Sequence, residues 1–387
     1  MNTIIYSKNN MKIGILTYYG DLNCGTNLQA YATLRAVRQA YPNDEVEIIP
    51  FHGFKQRLLP YKTFSLVNLY HDFFRFKKYA NFKKVNLGVE KDVVIKDVEK
   101  AIRYIASRNY DVIYVGADTL LELDRLPSGY DGLSAYWLKD IKAKKVLIAA
   151  SAKNVTFEKL TSRQKEEIGI AARQFDSIGI RDRATYKLFS SALGDESRIH
   201  YVPDPTFTLD IDYSYIEAYL KKCKVTIPEK SVFVQFFGDD YWLNDAIKEV
   251  KAAGYTIVTN RGVSWSDIVL IDMSPLEQLG LYKKVSFAVT HRFHDGVFCM
   301  KNHTPVLIYV KSMKTFMTDE GESKHVSLLK DFGLYPQAFL GAVDSKDGLK
   351  GIMDSYKEVM KVYDEEKIER KLRENRKCYL DYLKDTV

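Results

Sequence analysis

Two imidazoles, a guanidinium and a carboxylate stand close together in Thr290-His291-Arg292-Phe293-His294-Asp295-Gly296. Such a set can grip an anion, carry a proton near neutral pH, or do both. The apolar run Val285–Val289 before it reads as a buried strand, and Gly296–Asn302 after it is long enough for about two helical turns. Thr304–Val310 reads as the next strand. Open α/β sheets bind ligands beyond the carboxyl ends of their strands, where this loop lies. A helix starting at Asp295 or Gly296 would also aim free N–H groups and a positive partial charge at an anion. The plain alternative is a polar loop whose histidines cap and pack. For an isolated His that is the better reading; two His and an Arg at one strand end bring the two level.

Other strand ends carry polar groups as well. Asn23-Cys24-Gly25-Thr26-Asn27-Leu28-Gln29-Ala30 joins the first strand to the first helix, and its amides could hold an anion or a sugar hydroxyl. Asp118 follows Gly116-Ala117, Ser151 follows Lys145–Ala150, and Arg181 follows Ser177–Ile180. Alone, Asp118 would most simply cap a helix, and Arg181-Asp182-Arg183 would be a surface ion pair. An Arg at a sheet's carboxyl edge is also the bidentate clamp expected for a carboxylate or phosphate. Four strand ends with Asp, Ser, Arg and the His/Arg loop are hard to explain as four separate caps.

Strands and helices alternate along the chain. Strand Ile13–Tyr19, helix Thr26–Ala40 and strand Val46–Phe51 make a βαβ unit. An amphipathic helix is expected over Val93–Arg108, strands at Val112–Gly116, Lys145–Ala150, Ser177–Arg181 and His200–Val202, and helices at Ser162–Gln174 and Ala184–Leu193. Asp210–Lys230 looks like a connector. A second series then runs through strand Ser231–Gly238, helix Leu243–Ala253, strand Tyr255–Val258 and helix Leu276–Lys283 to the opening motif. The fold class is α/β: two doubly wound Rossmann-like domains facing a cleft in a glycosyltransferase-B-like arrangement, with a C-terminal helix. The expected boundaries are 11–209, 210–230 as connector, 231–348, and a helical tail over 349–387.

At 387 residues two domains are the default. No run approaches the ~18 apolar residues of a membrane span, and the N-terminus lacks a signal-peptide core, so a cytoplasmic location is expected. Met11 is an alternative start. Cys24, Cys223, Cys299 and Cys378 are far apart, which excludes a CxxC metal knuckle. His291 and His294 have no HExxH or cysteine cluster, so no metal is expected. GxGxxG, GxxxxGK[ST] and GxSxG are all missing. The net charge of +7 equals that of Phe54–Lys84 alone, where eight basic residues and one acid interleave with nine aromatics. That pattern suits an anionic membrane surface, at the inner face of the plasma membrane, or an anionic polymer; the alternative is an excursion packed on its own domain. No nucleic-acid motif accompanies it, so no nucleic-acid partner is expected.

In order, these pieces resemble the polysaccharide pyruvyl transferase family. Asn23–Leu34 matches its N-x-G-x-x-L-Q-A-x-A-L block, and Gly116-Ala117-Asp118 its G-S-D. Ala149-Ala150-Ser151, Ile180-Arg181-Asp182 and Asp204-Pro205-Thr206 match its A-A-S, V-R-E/D and D-P-T, and Thr290–Gly296 its S-x-R-[FL]-H-G signature. The matches span about Lys12–Val310.

The resemblance implies transfer of pyruvate from phosphoenolpyruvate onto two hydroxyls of a sugar in a cell-surface polysaccharide precursor, capsule or exopolysaccharide. The product is a cyclic ketal, phosphate is released, and no cofactor is needed. It implies His294 and Asp118 as catalytic, Arg181, Arg292 and Ser151 as donor-binding, and Asn23, Gly25, Gln29 and His291 as acceptor-binding. The N-terminal domain would then face the acceptor, a sugar or lipid-linked oligosaccharide, and the C-terminal domain the donor. Ala117 in place of Ser, His291 in place of a small or acidic residue, and the inserted Asp295 depart from the pattern. Two other readings stand beside this one. The first is a sugar-nucleotide glycosyltransferase on the same scaffold; the second is a non-catalytic glycan- or anion-binding relative.

Overall fold

The computed structural model describes residues 10–53, 69–123, 132–153, 155–236, 242–312, 323–345 and 348–386, the side chains of 69–72 excepted. In the N-terminal half the order is β1 (Lys12–Leu16), α1 (Cys24–Ala40), β2 (Glu45–Ile48), β3 (Phe51–Gly53), α2 (Leu69–Leu87), β4 (Val93–Ile95), α3 (Val98–Ser107) and β5 (Val112–Val115). It continues with β6 (Lys144–Ala150), α4 (Ser162–Arg173), β7 (Ser177–Ile180), α5 (Arg183–Leu193) and β8 (Ile199–Tyr201). After α6 (Ser214–Cys223) come β9 (Ser231–Val234), α7 (Trp242–Ala252), β10 (Thr256–Thr259), β11 (Ile268–Val269), α8 (Pro275–Leu281) and β12 (Phe287–Thr290). The chain ends with α9 (Phe293–Lys301), β13 (Val306–Val310), α10 (Lys324–Asp331), β14 (Phe339–Ala342), α11 (Ile352–Val362) and α12 (Glu365–Asp385).

Each series folds into a six-stranded sheet, ordered β2-β1-β5-β6-β7-β8 and β11-β10-β9-β12-β13-β14. Every pairing is parallel. Helices cover both faces, so the inner strands β5, β9, β12 and β13 are buried along their whole length. This explains their unbroken apolar runs. In both sheets the strand order reverses beside the first strand of the series, which opens a crevice at the carboxyl edge.

The halves share one apolar cluster, which runs from α1 through α12 into the second sheet. Helix α12 returns to the first sheet: Tyr382 Oη donates to the Leu147 carbonyl at 2.8 Å. Its ring fills the space that a Cβ on Gly179 would need, 2.7 Å away.

Some elements differ from expectation. Val93–Ile95 is a strand, not the start of a helix: this β-branched run pairs with Phe51–Gly53 in a two-stranded sheet. Asp97 then caps α3 by accepting from the Lys100 amide at 2.8 Å. The expected connector 210–230 contains α6, which buries Ile216 and Tyr219. Helix α9 begins two residues early, with Arg292 at its N-cap, so Asp295 lies within its first turn. Of the basic aromatic segment, 54–68 falls outside the described residues. The rest lies in α2, with Tyr79 and Phe82 buried and Phe73 and Phe74 exposed.

Candidate active site

Adjacent strands carry Asp118, Ser151 and Arg181 to the carboxyl edge of the first sheet side by side. The Ser151 amide donates to the Asp118 carbonyl at 3.0 Å, and the Arg181 amide to the Ala150 carbonyl at 3.3 Å. The backbone there is unusual, with φ of +99° at Asp118 and +50° at Ala149. Gly116, at φ +148°, has room for no side chain, because a Cβ would lie 1.8 Å from the Ile148 carbonyl oxygen. Left-handed backbone at non-glycine residues costs about 1–3 kcal/mol each and clusters at functional sites.

Asp204 is the centre of the arrangement. Its Oδ1 accepts from the Thr206 amide and hydroxyl at 3.0 and 2.6 Å. Its Oδ2 accepts from Gln29 Nε2 at 2.6 Å and Arg181 Nη1 at 3.2 Å. His294 Nε2 lies 3.4 Å from the same oxygen, near enough for charge attraction but too poorly aligned to hydrogen-bond. Burial would raise the Asp204 carboxyl; the His294 and Arg181 charges and the Thr206 hydroxyl outweigh it and hold it well below the usual range.

Arg181 turns its other nitrogen to Asp118, with Nη2 at 3.2 Å from Oδ1. That oxygen also accepts from the Thr119 amide at 2.7 Å, leaving Oδ2 open among the described residues. Asp118 too is depressed: burial opposes ionisation, and the fields of Arg181, His294 and Lys324 prevail. Both carboxylates are therefore ionised at neutral pH.

The second domain supplies the opposing cations. At the start of α9, Arg292 Nη1 reaches Asn23 Oδ1 at 3.4 Å. Asn23 is the N-cap of α1, and the same oxygen accepts from the Gly25 amide at 3.1 Å. The His294 ring packs directly on Gly25, where a Cβ would fall 2.2 Å from Nδ1. Cys24 Sγ lies 3.6 Å from the Pro275 carbonyl, closing the same seam. Lys324, at the start of α10, keeps side-chain surface open to the cleft and stands over the Phe293 ring at 5.3 Å. Desolvation by the surrounding protein, with Arg181 nearby, pushes it down to about 8 against the pull of Asp118 and Asp204.

A family model described as polysaccharide pyruvyl transferase matches residues 23–310. The chain belongs to that family. Its members' pyruvyl transfer in polysaccharide biosynthesis is thus the activity class of this chain. No curated protein matches it. Among solved structures it is similar to UDP-GlcNAc 2-epimerase from Neisseria meningitidis bound to UDP-GlcNAc. The TM-score is 0.54 at 9% identity, covering 97% of this chain and 98% of that one. It is also similar to the Methanocaldococcus jannaschii UDP-GlcNAc 2-epimerase in complex with UDP-GlcNAc and UDP. There the TM-score is 0.51 at 12% identity, over 94% of this chain and 99% of that one. At such identities the likeness concerns the fold, a glycosyltransferase-B-like pair of Rossmann domains.

The family's motifs thus converge from both sheets on Asp204, but not every residue faces open space. Gln29 is buried, and its amide nitrogen is spent on Asp204, so it stands behind the cleft. Ser151 Oγ accepts from the Lys153 amide at 3.0 Å and is buried. His291 lies inside the second domain, 3.3 Å from the Gln235 carbonyl and beside Tyr309. Burial and the Arg292 charge push it down to about 3, so it is neutral.

Asp295 is a buried carboxyl that accepts from the Thr290 hydroxyl at 2.8 Å. Burial raises it, and Arg292 and Thr290 counter only in part. The extra residue thus anchors the first turn of α9 to the strand before it.

Sequence reasoning passed over Asp204 as a centre and did not see Lys324 at all. Asp204-Pro205-Thr206 carried a signal as a motif. Lys324 carried none, lying thirty residues beyond His294. Among the described residues no group of three His, Cys, Asp or Glu could hold a metal ion, and no helix is long and apolar enough to cross a membrane.

Proposed function

We propose that the chain moves the pyruvyl group of phosphoenolpyruvate onto two hydroxyls of one sugar in a surface-polysaccharide precursor, forming a cyclic ketal and releasing phosphate. The observation that carries this is the meeting of Arg181, Arg292, Lys324 and His294 with two ionised carboxylates in one interdomain cleft. Phosphoenolpyruvate has a carboxylate and a phosphate, and three cations from two domains suit two anionic groups on one small molecule.

His294, held by Asp204, delivers a proton to the enol methylene, and C2 becomes oxocarbenium-like. A sugar hydroxyl bonds to C2 while Asp118 Oδ2 orients it and takes its proton. The C2–O bond to phosphate then breaks, phosphate leaves with the ester oxygen, and the second hydroxyl closes the ring as it gives its proton to the His294 imidazole left neutral by the first transfer. Asp204 is a positioning residue, because its oxygens are already engaged. Asn23 and Gly25 line the acceptor side, next to Arg292 and His294.

The acceptor in this reading is lipid-linked, and α2 meets an anionic membrane surface. Its outward face presents Phe73, Phe74 and Val85 with Lys77 and Lys84. Its inner face is tied down by Lys78 to Glu277 at 2.8 Å and by Lys83 to Asp92 at 2.7 Å. That would place the enzyme at the cytoplasmic face of the membrane.

The deciding experiment supplies phosphoenolpyruvate and glycosyl-diphosphate lipids, then tracks phosphate release and a pyruvyl mass increment on the lipid. Nucleotide release from a sugar nucleotide, with phosphoenolpyruvate untouched, would make the chain a glycosyltransferase instead.

A further inference from the structure

Four basic side chains gather around one aromatic ring in the cleft. Phe293 is the first residue of α9, and its ring is half-buried. The Lys324 ammonium lies 5.3 Å from the ring centroid and the Arg181 guanidinium 6.0 Å. The imidazoles of His294 and His325 stand nearly perpendicular to it, with centroids at 5.4 and 6.2 Å. Arg181 comes from the first domain and the other three from the second, so this ring touches both sides of the cleft.

Lys324 depends on such a neighbour more than Arg181 does. Arg181 is paired with Asp118 and Asp204, each at 3.2 Å. Among the described residues Lys324 makes no ion pair. Asp118, Asp204 and Asp182 favour its charge only through space, against desolvation and the Arg181 charge. It is also the first residue of α10, where the helix dipole repels a cation. The face of an aromatic ring carries negative potential and attracts an ammonium within about 6 Å. A carboxylate in that place would neutralise Lys324 and repel an incoming anion; a phenyl ring does neither.

We propose that Phe293 is a positioning residue for the donor: its ring holds the Lys324 ammonium beside Arg181, keeping anion-gripping cations of the two domains at a set spacing without neutralising either. The role in donor binding rests on the pyruvyl-transfer reading; the hold of the ring on the lysine does not. The signature that Thr290–Gly296 resembles carries Phe or Leu at this place. Phe293→Leu thus keeps an apolar side chain that the motif accepts and removes only the π face.

The test pairs Phe293→Leu with Phe293→Tyr, which keeps the ring. Titration of Lys324 is followed by NMR on the full chain labelled at lysine Cε, without donor, with Lys324→Arg to assign the resonance. Phe293→Leu should move that titration about half a pH unit or more toward lower pH, and Phe293→Tyr should leave it near wild type. In the phosphate-release assay, KM of Phe293→Leu for phosphoenolpyruvate should match wild type near about pH 6.5. At about pH 8 it should be roughly threefold higher with kcat nearly unchanged, because more of Lys324 has lost its proton there. A merely structural defect would raise KM equally at both pH values. An unmoved titration in Phe293→Leu, an equal shift in Phe293→Tyr, or a KM ratio that ignores pH overturns the proposal. Phe293→Met gives the same reading should Phe293→Leu misfold. No phosphate release by the wild type would instead sink the pyruvyl-transfer reading, and the NMR titration alone would decide whether the ring holds the lysine.

Discussion

Gly25→Ala tests the cleft through a single methyl group. Gly25 is the second residue of α1, and its added Cβ would lie 2.2 Å from His294 Nδ1, 2.4 Å from Cγ and 2.8 Å from Cβ. Ordinary contact begins at 3.4 Å, so the imidazole must retreat by about 1.2 Å, the difference between 3.4 and 2.2 Å. Gly25 and His294 belong to different domains, so the clash is relieved by turning the ring or by parting the domains. Either route breaks the 3.4 Å approach of His294 to Asp204 and moves the proton carrier off the donor. A misplacement of ~1 Å can cost about a hundredfold in rate.

The helix itself should not suffer, since alanine is the better helix former by up to about 1 kcal/mol. The expected result in the phosphate-release assay is a kcat lowered roughly a hundredfold with a Tm close to native. A kcat near native for Gly25→Ala would refute the argument that this glycine exists to admit His294.

His294→Ala should abolish turnover while the circular dichroism spectrum and Tm survive; near-normal phosphate release would remove it from the proton-carrying role. Asp204→Asn should cost roughly 3–5 kcal/mol by denaturant titration at pH 7, because Arg181 loses the more deeply buried of its two carboxylate partners. Asp204 titrates lower in the folded than in the unfolded chain. Its contribution is therefore present above the ordinary carboxyl pKa and fades as pH falls toward the folded value, so wild type and variant should converge in acid. A gap between them that persists in acid would contradict that linkage.

Lys324 loses its proton above about 8, so kcat/KM for phosphoenolpyruvate should fall about tenfold per pH unit beyond that point. Lys324→Arg should remain charged and shift the descent to higher pH, and an unmoved descent would exclude the lysine. Phe73→Ser with Phe74→Ser should weaken sedimentation with anionic vesicles several-fold and leave neutral vesicles unaffected; unchanged partitioning would dismiss α2 as the membrane face.

Local residue order determined much of this protein. Unbroken apolar runs such as Val112–Val115 and Val306–Val310 specify parallel strands covered on both faces, and the helical runs between them specify double winding. The place of Asp118 and Arg181 at the sheet's carboxyl edge was legible because a group just past a strand belongs to that edge wherever the strand lies. The neighbour of a strand end is set by chain order over a few residues, so it can be read without knowing the tertiary structure.

Partners across the chain were decided only by tertiary packing. Asp204 reads as the end of a domain until Gln29, Arg181 and His294 arrive from 175 residues upstream, 23 residues upstream and the other domain. Gln29 and His291, plausible as acceptor contacts in a motif, are turned inward because Asp204 and the Gln235 carbonyl claim them. Lys324 has no motif, and its place depends on how α10 docks beside α9. Burial, desolvation and charge pairing act through space, with no fixed sequence separation, and they set which of the chemically able residues face the cleft.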